Sequence, residues 1–355
     1  MTERMPRAAT VTQPTGTPGR PAGRRMPPAA TLAIALGLLT VVAVASLAIG
    51  TRQVPFDVVL QAFIAPVAGD ADQVVVRDLR LPRAVIGIMA GAALGVVAAI
   101  LQGATRNPLA DPGLLGINAG ASLAVVAAIA FLGIASPFGF IWFAFGGAAL
   151  AAAVVFAIGS TGGAGATPAK LALTGAALTA ATTPLVTLLL IRDQGTLSQY
   201  RFWSVGSLSG RGLETAAVLW PFLVVGLLLA GWLAGRLNLL ALGDDVARGL
   251  GVRLGTTRVV TAVAVIVLAG TATSLAGPIA LLGLAVAHAA RGLVGGDYRW
   301  LTPLSGVLGA IVLLAADVIG RVVVAPAELE AGIVAAIVGA PVLIALVRRT
   351  KGVSL

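Results

Sequence analysis

The stretch LQGATRNPLADPGLLGINAGAS, residues 101–122, interrupts a long apolar run with two prolines, an arginine, two asparagines and an aspartate. Asn107-Pro108 predicts the end of one helix, because the residue before proline resists the α conformation. Asp111-Pro112 is typical of a helix start, with aspartate as the cap and proline in the first turn. Gly116 and Gly120 then favour close helix packing in lipid. The stretch therefore predicts a turn between two membrane-spanning helices.

The composition of the whole chain is that of a membrane protein. Of the 355 residues, 58% are hydrophobic and 11% are charged, and this charged fraction is about half that of a typical soluble domain. Mean hydropathy is +1.00, and several apolar runs reach the roughly 20 residues that a helix needs to cross a bilayer. The sequence predicts an all-α polytopic protein embedded in the lipid bilayer.

The reactive residue types limit the possible functions. The chain has no cysteine, which excludes disulfides, thiolate metal sites and thiol catalysis. It has one histidine, His288, which excludes a histidine metal cluster within one chain. No GxxxxGK[ST] motif occurs, so the chain has no P-loop of its own for ATP. The net charge of +10 does not indicate a nucleic-acid partner, because basic residues in membrane proteins encode orientation.

Apolar runs predict ten membrane-spanning helices after a disordered basic tail at residues 1–28. The tail is rich in proline and arginine, a composition that cannot bury enough apolar surface to fold. The ten helices are expected at residues 31–50, 84–104, 115–135, 139–159, 169–191, 215–235, 258–276, 279–294, 302–321 and 331–347. With cytoplasmic termini, the inner segments carry twice as many Lys and Arg as the outer segments, in agreement with the positive-inside rule.

Two polar segments between the predicted helices are long. The outer one covers residues 51–83, and the inner one, residues 236–258, has helical spacing with glycine breaks. Because residues 238–251 are too polar to span, we expect a short helix on the cytoplasmic surface, available to a soluble partner. Asp244-Asp245 within it fits a metal or diphosphate site, or acids at the positive start of a helix.

Glycine recurs every four residues on the second predicted helix, at Gly87, Gly91 and Gly95. Small residues with this spacing let two helices approach closely in lipid. We expect a packing face, and a moving seam between two subunits is the alternative.

Charged residues are rare inside the predicted spans, and each has two interpretations. Arg80, Arg83 and Arg321 lie at outer helix ends, where basic residues anchor helices or dock an acidic partner. Asp317 lies one turn before Arg321, which favours an internal salt bridge over a functional intramembrane acid. His288 is read as a packed, hydrogen-bonded histidine, with a proton site as the alternative.

The chain resembles the permease subunits of ABC importers for iron-siderophores, haem and cobalamin, the FecCD/BtuC-like family. The resemblance covers residues 78–347 and leaves the basic tail outside. The matching motifs are LRLPR (79–83), GAALG (91–95), Q-x4-NPLADPGLLGINAGA (102–121), LALTGAAL (171–178), W-x2-GSL (203–208), LNLLALGDDVARGLG (237–251), AGPIALLGL (276–284), H-x2-R (288–291), DYRWLTPLSGVLGA (297–310), LLAADVIGR (313–321), AELEAG (327–332) and GAPV (339–342).

The resemblance implies a permease domain of ten transmembrane helices over residues 29–350, in a prokaryotic cytoplasmic membrane. It implies a second permease subunit, cytoplasmic ABC ATPase subunits that use ATP, and an extracytoplasmic substrate-binding protein. The permease itself is then neither an enzyme nor the binder of a cofactor or metal. Arg80, Arg83 and Arg321 would meet acidic residues of the binding protein, and Thr167 is the gate candidate. The residues implied in ATPase coupling are Leu242, Gly243, Asp244, Ala247, Arg248, Leu250 and Gly251.

The chain departs from the family pattern at three positions. Ala287 and Glu330 stand where the family usually has proline, and Leu282 stands where it often has phenylalanine. The resemblance implies transport by alternating access, with an iron-siderophore complex as the expected cargo and haem or cobalamin behind it. The departures leave the exact cargo open, as well as the choice between a homodimer and a heterodimer. Two other classes remain as alternatives, namely an ion-coupled carrier using Asp317 and His288 and a lipid-modifying enzyme using Asp244-Asp245.

Overall fold

The computed structural model describes residues 26–134, 136–159, 161 and 168–351. Within these ranges the chain forms helices and no β-strand. The α-helices are α1 (Pro28–Ala48), α2 (Phe56–Ile64), α3 (Ala71–Val74), α4 (Leu81–Thr105), α5 (Ile117–Leu132), α6 (Pro137–Gly159), α7 (Pro168–Arg192), α8 (Gln194–Ser204), α9 (Leu213–Leu240), α10 (Asp244–Gly249), α11 (Leu254–Ala276), α12 (Leu282–Val294), α13 (Tyr298–Val323) and α14 (Ala331–Lys351). The predicted basic tail lies almost entirely outside the described residues.

Among the described residues, seven helices are long and apolar enough to cross a membrane, namely α1, the continuous stretch Ala71–Thr105, α6, α7, α9, α11 and α13. Three shorter apolar helices lie at Ile117–Leu132, Leu282–Val294 and Ala331–Val342. Together these ten elements overlap the ten helices predicted from the sequence, so the all-helical membrane fold is confirmed. The count of ten crossings and the cytoplasmic position of the termini stay predictions.

Several predicted helix boundaries were wrong. The second helix was expected from residue 84, but a π-helix over Val75–Arg80 joins α3 to α4 without a break. A π turn is a wider turn that often lies at functional or distorted positions, and here it directly precedes Pro82 in the first turn of α4. The eighth helix was expected from residue 279, but it begins at Leu282 because Leu281 has a left-handed φ of 65°.

The centre of the bundle is α4, which packs against α9, α11, α12 and α13. Most of its residues are buried. The predicted packing face is confirmed: a Cβ on Gly91 would overlap the carbonyl oxygen of Gly309, and a Cβ on Gly95 would overlap that of Ser305. Because α13 of the same chain covers this glycine face, the face is not available as a seam between two subunits.

In contrast to α4, helix α7 is poorly covered by the rest of the chain. It packs against α5 on one side, with smaller contacts to α6 and α8. Leu173, Leu188 and Ile191 remain exposed, at 73%, 58% and 75%. Since an apolar helix with this exposure needs lipid or another subunit beside it, α7 forms the outer wall of the single chain.

Candidate functional site: the coupling segment, the outer arginine cluster and a threonine-lined cleft

The coupling segment, residues 236–258, contains the end of α9, the six-residue helix α10 and the start of α11. Gly243 precedes α10 with φ of 109°, and Gly251 follows it with φ of 85°. These backbone conformations strain any residue with a Cβ, which explains the glycines at both ends. Ala247 is fully buried, so α10 rests on the bundle through this small residue.

Three apolar side chains in and beside α10 are exposed. Leu242, Val246 and Leu250 are 61%, 48% and 58% exposed and follow one another every four residues. Val246 lies in α10, Leu250 caps its C-terminus and Leu242 lies in the turn before Gly243; we call these three residues the coupling ridge. The sequence had pointed to Leu242 and Leu250 but missed Val246, which the i, i+4 spacing could have identified.

The coupling segment is tied to the turn of residues 101–122 by a shared carboxylate. Asp244 pairs with Arg106 through one oxygen and with Arg258 through the other, the second at 3.1 Å. Arg106 ends α4 in a left-handed conformation with φ of 51°. A second pair on α10, Asp245 with Arg248 at 2.8 Å, remains local to that helix.

A hydrogen-bonded junction supports the other end of the segment. The Asn238 amide donates to Asp297 at 2.6 Å and accepts from the Tyr298 backbone N–H at 2.9 Å. The backbone N–H of Arg299 also donates to Asp297, and these two donors lower the pKa of that carboxyl. The Tyr298 hydroxyl accepts from Arg291. The inner ends of α9, α12 and α13 are therefore fixed together.

The outer arginines are largely enclosed. Arg80 is buried and donates to the carbonyls of Leu47 and Ala48 at 2.7 Å, and to that of Arg52. These carbonyls lie at and beyond the C-terminus of α1, where backbone acceptors lack helical partners. Arg321, also buried, donates to the Ser46 carbonyl at 2.9 Å. Both arginines therefore fix the end of α1 to the bundle.

Asp317 is the anion at the centre of this outer cluster. It pairs with Arg321 at 3.1 Å, as the i, i+4 spacing predicted, and also with Arg83 at 2.9 Å. Arg83 reaches further, to Glu328 at 2.8 Å. Arg80 and Arg321 are thus occupied inside the protein, and Arg83 is the one nearest the surface, with its side chain 11% exposed. The role of all three in docking a binding protein stays a prediction.

One departure from the family pattern lies near Arg211, which is partly buried. Arg211, in the turn before α9, donates to the carbonyls of Ser274 and Leu275 at the end of α11. Burial lowers the pKa of this arginine to about 10, and the negative charge of Glu330 opposes the shift. Glu330 therefore supplies a charge that the usual proline at its position could not.

A cleft of about 240 Å³ lies between α5, α7 and α8. Its polar lining residues are Asn118, Ser122, Thr179, Thr182, Thr183, Thr187 and Tyr200. The hydroxyls of the four threonines donate to backbone carbonyls of α7 itself. Since each such hydroxyl keeps its lone pairs free, the α7 wall offers hydrogen-bond acceptors without any charge.

Two further predicted positions have different outcomes. Thr167, the gate candidate, lies outside the described residues. His288 is half-buried in α12. In the part of the chain that the structure describes, no three His, Cys, Asp or Glu side chains cluster to hold a metal ion. Asp244, paired with two arginines, is an electrostatic anchor in this structure.

The chain is similar in sequence to two bacterial permease proteins. It is 46% identical over 330 residues to the ferric enterobactin transport system permease protein FepD of Escherichia coli, covering 91% of this chain and 98% of FepD. It is 43% identical over 312 residues to the siderophore transport system permease protein YfiZ of Bacillus subtilis, covering 88% and 93%.

A solved structure gives the same result for the fold. An inward-facing metal-chelate type ABC transporter aligns with a TM-score of 0.78 and 28% identity, covering 91% of this chain and 99% of that one. The model of the FecCD transport family matches residues 38–349. The chain belongs to the FecCD transport family.

Proposed function

We propose that this chain is the transmembrane permease subunit of an ATP-binding-cassette importer that carries an iron-siderophore complex across a bacterial cytoplasmic membrane. The observation that carries the proposal is the coupling ridge. Exposed apolar side chains on a short helix and at its two flanks, in a membrane chain without a P-loop, support docking to a separate ATPase. The cargo class is supported by the names of the relatives, which are permeases for siderophores and ferric enterobactin.

In this proposal the ATPase subunits bind the coupling residues on the inner face. These residues are Leu242, Gly243, Asp244, Ala247, Arg248, Leu250 and Gly251, to which the structure adds Val246. ATP binding and hydrolysis occur on the partner, and this chain binds no cofactor of its own. Direction is set by differences in binding free energy between the states of the complex.

The cargo path is proposed to include the threonine-lined cleft and the exposed side of α7. A second permease subunit, either a copy of this chain or a related one, would cover α7 and complete the path. The neutral acceptors of the cleft suit a large chelate, because a wall without charges binds cargo weakly enough to release it. Thr167, which lies outside the described residues, remains the gate candidate.

On the outer face, an extracytoplasmic substrate-binding protein is proposed to dock over the arginine cluster. Arg83 is the member best placed for direct contact, because it is bound at the surface by the partly exposed Glu328. Arg80 and Arg321 would meet the partner only after a rearrangement that releases them from the carbonyls of α1. In the described conformation they support the docking surface from below.

The two alternative classes gain no support from the geometry. An ion-coupled carrier needs an intramembrane acid that can gain and lose a proton, whereas Asp317 is held between two arginines. A lipid-modifying enzyme would need Asp244 and Asp245 to face a metal or diphosphate. Asp244 instead binds Arg106 and Arg258.

The proposal is tested by uptake of ⁵⁵Fe-labelled ferric siderophore into proteoliposomes that contain the permease, its ATPase and the binding protein. We expect uptake to require ATP and to stop when the ATPase is omitted or carries an inactivated P-loop. A proton gradient imposed without ATP should drive no uptake. Uptake that follows the proton gradient alone would overturn the proposal in favour of a secondary carrier.

A further inference from the structure

Asp244 connects three elements that are far apart in the sequence. It begins α10, it pairs with Arg106 at the end of α4, and it pairs with Arg258 in the first turns of α11. Arg106 and Asp244 are 138 positions apart. Arg106 lies in the turn of residues 101–122, and Asp244 lies in the coupling segment. The function proposed above gives Arg106 no role.

The energy of this contact argues against a role in stability. The side chains of Arg106, Asp244 and Arg258 are 46%, 34% and 54% exposed. Ion pairs with this exposure contribute only about 0–1 kcal/mol to folding. The contact instead fixes position, because one carboxylate with two arginines holds α10 at a set distance from both α4 and α11.

The connection to α4 gives this position mechanical importance. Since α4 lies at the centre of the bundle and packs against four other helices, a displacement of its inner end must reach them all. Helix α10 itself is joined by the backbone only to α9 and α11. Arg106 therefore supplies a side-chain route from the coupling segment to α4 that the backbone does not provide.

We propose that Arg106 is a positioning residue for transport, which passes movement of the coupling segment to α4 through its ion pair with Asp244. The proposal rests on the coupling function of residues 236–258 stated above. It assigns a mechanical role to the turn of residues 101–122.

The test uses the complete reconstituted complex and measures three quantities: ATPase binding, ATP hydrolysis and iron imported per ATP hydrolysed. Arg106→Ala and Arg106→Glu should bind the ATPase and hydrolyse ATP as the unaltered complex does. Iron imported per ATP should fall about two- to fivefold for Arg106→Ala, the change that the loss of an exposed ion pair allows, and further for Arg106→Glu. Arg106→Lys should restore part of the loss.

The matched control is Arg52→Ala, which removes an exposed arginine–aspartate pair, Arg52 with Asp72 at 2.7 Å, far from the coupling segment. It should leave iron per ATP unchanged. Asp244→Asn removes the pairs with both Arg106 and Arg258. Combining it with Arg106→Ala should be no worse than Asp244→Asn alone, because the pair that Arg106→Ala removes is already lost.

Three results would overturn the inference. Iron per ATP could be unaltered in Arg106→Glu, the double variant could show additive losses, or Arg106→Ala could lose ATPase binding outright, which would make Arg106 part of the docking surface. None of these touches the proposed function, which fails separately if the unaltered complex shows no ATP-dependent uptake.

Discussion

Arg83 and Asp317 form an ion pair at 2.9 Å across 234 positions of the sequence. The pair joins the first turn of α4 to α13, and Asp317 is almost fully buried. A second arginine, Arg321, shares the same carboxylate. One buried carboxylate thus joins arginines from two different helices, while Glu328 supplies a second anion to Arg83.

Asp317→Asn should destabilise the protein strongly. Removing one partner of a buried ion pair leaves an uncompensated charge and costs about 3–5 kcal/mol. We expect a clear fall in the thermal unfolding midpoint of the purified protein in detergent. Asp72→Asn, which breaks the exposed pair with Arg52, should cost no more than about 1 kcal/mol. Equal midpoints for the two variants would contradict the central position of Asp317.

Docking of the binding protein should depend on Arg83 and Glu328 in opposite directions. Arg83→Gln should weaken the affinity of the binding protein for the reconstituted complex, since an acidic partner loses its cation. Glu328→Gln should strengthen it, because Arg83 is then freed from a competing carboxylate. Surface plasmon resonance at two salt concentrations measures both changes. Unchanged affinity in both variants would remove Arg83 from the docking surface.

The glycine seam between α4 and α13 should not accept a methyl group. A Cβ on Gly91 or Gly309 would overlap backbone atoms of the facing helix, so Gly91→Ala and Gly309→Ala should lower the yield of folded protein. Gly37 on α1 has open space around it. Gly37→Ala should therefore raise stability slightly, by up to about 1 kcal/mol of helix propensity. Size-exclusion profiles in detergent measure the loss of folded protein in the two seam variants. Unfolding midpoints measure the gain in stability of Gly37→Ala.

Stability should depend on pH through Asp111 in the turn between α4 and α5. Burial raises the pKa of this carboxyl to about 6, above its usual 3.8, although the Gly113 N–H donates to it. The native state therefore binds more protons than the unfolded state between about pH 4 and pH 6. The unfolding free energy contributed by Asp111 falls as the pH rises through this window and is constant above it.

Asp111→Asn removes the charge and keeps an oxygen that can accept from Gly113. We expect the variant to match the unaltered protein near pH 4 and to exceed it at pH 7.5, by on the order of 3 kcal/mol. Unfolding midpoints at the two pH values measure the difference. If the stability difference between Asp111→Asn and the unaltered protein is the same at both pH values, the ionisation of Asp111 does not cause it.

The sequence was sufficient for those features that depend on periodicity. Apolar runs of about 20 residues located each long helix, and the four-residue spacing of glycine identified the packing face of α4. The Asp317–Arg321 pair followed from its separation of one helical turn. Each of these features is set by residues that are close together along a single helix.

Features that join distant segments could not be predicted in this way. Arg106 and Asp244 both lie in polar inner turns, but nothing in a single sequence shows that these two turns meet. From the sequence, Arg80 looked like an outer surface cation. Its acceptors are backbone carbonyls near the end of α1, and a backbone carbonyl gives no signal in the sequence. The short helices α2 and α8 were missed since neither is long or uniformly apolar enough to resemble a span.

The contact between α4 and α13 has a consequence for how the molecule can move. Where backbone lies directly against backbone, there are no side chains that could change rotamer to let one helix slide past the other. The two helices can then only travel as a single rigid body, with Asp317 fastening their outer ends. Any opening and closing of a passage must take place at its margins, where α7 is held by few neighbours.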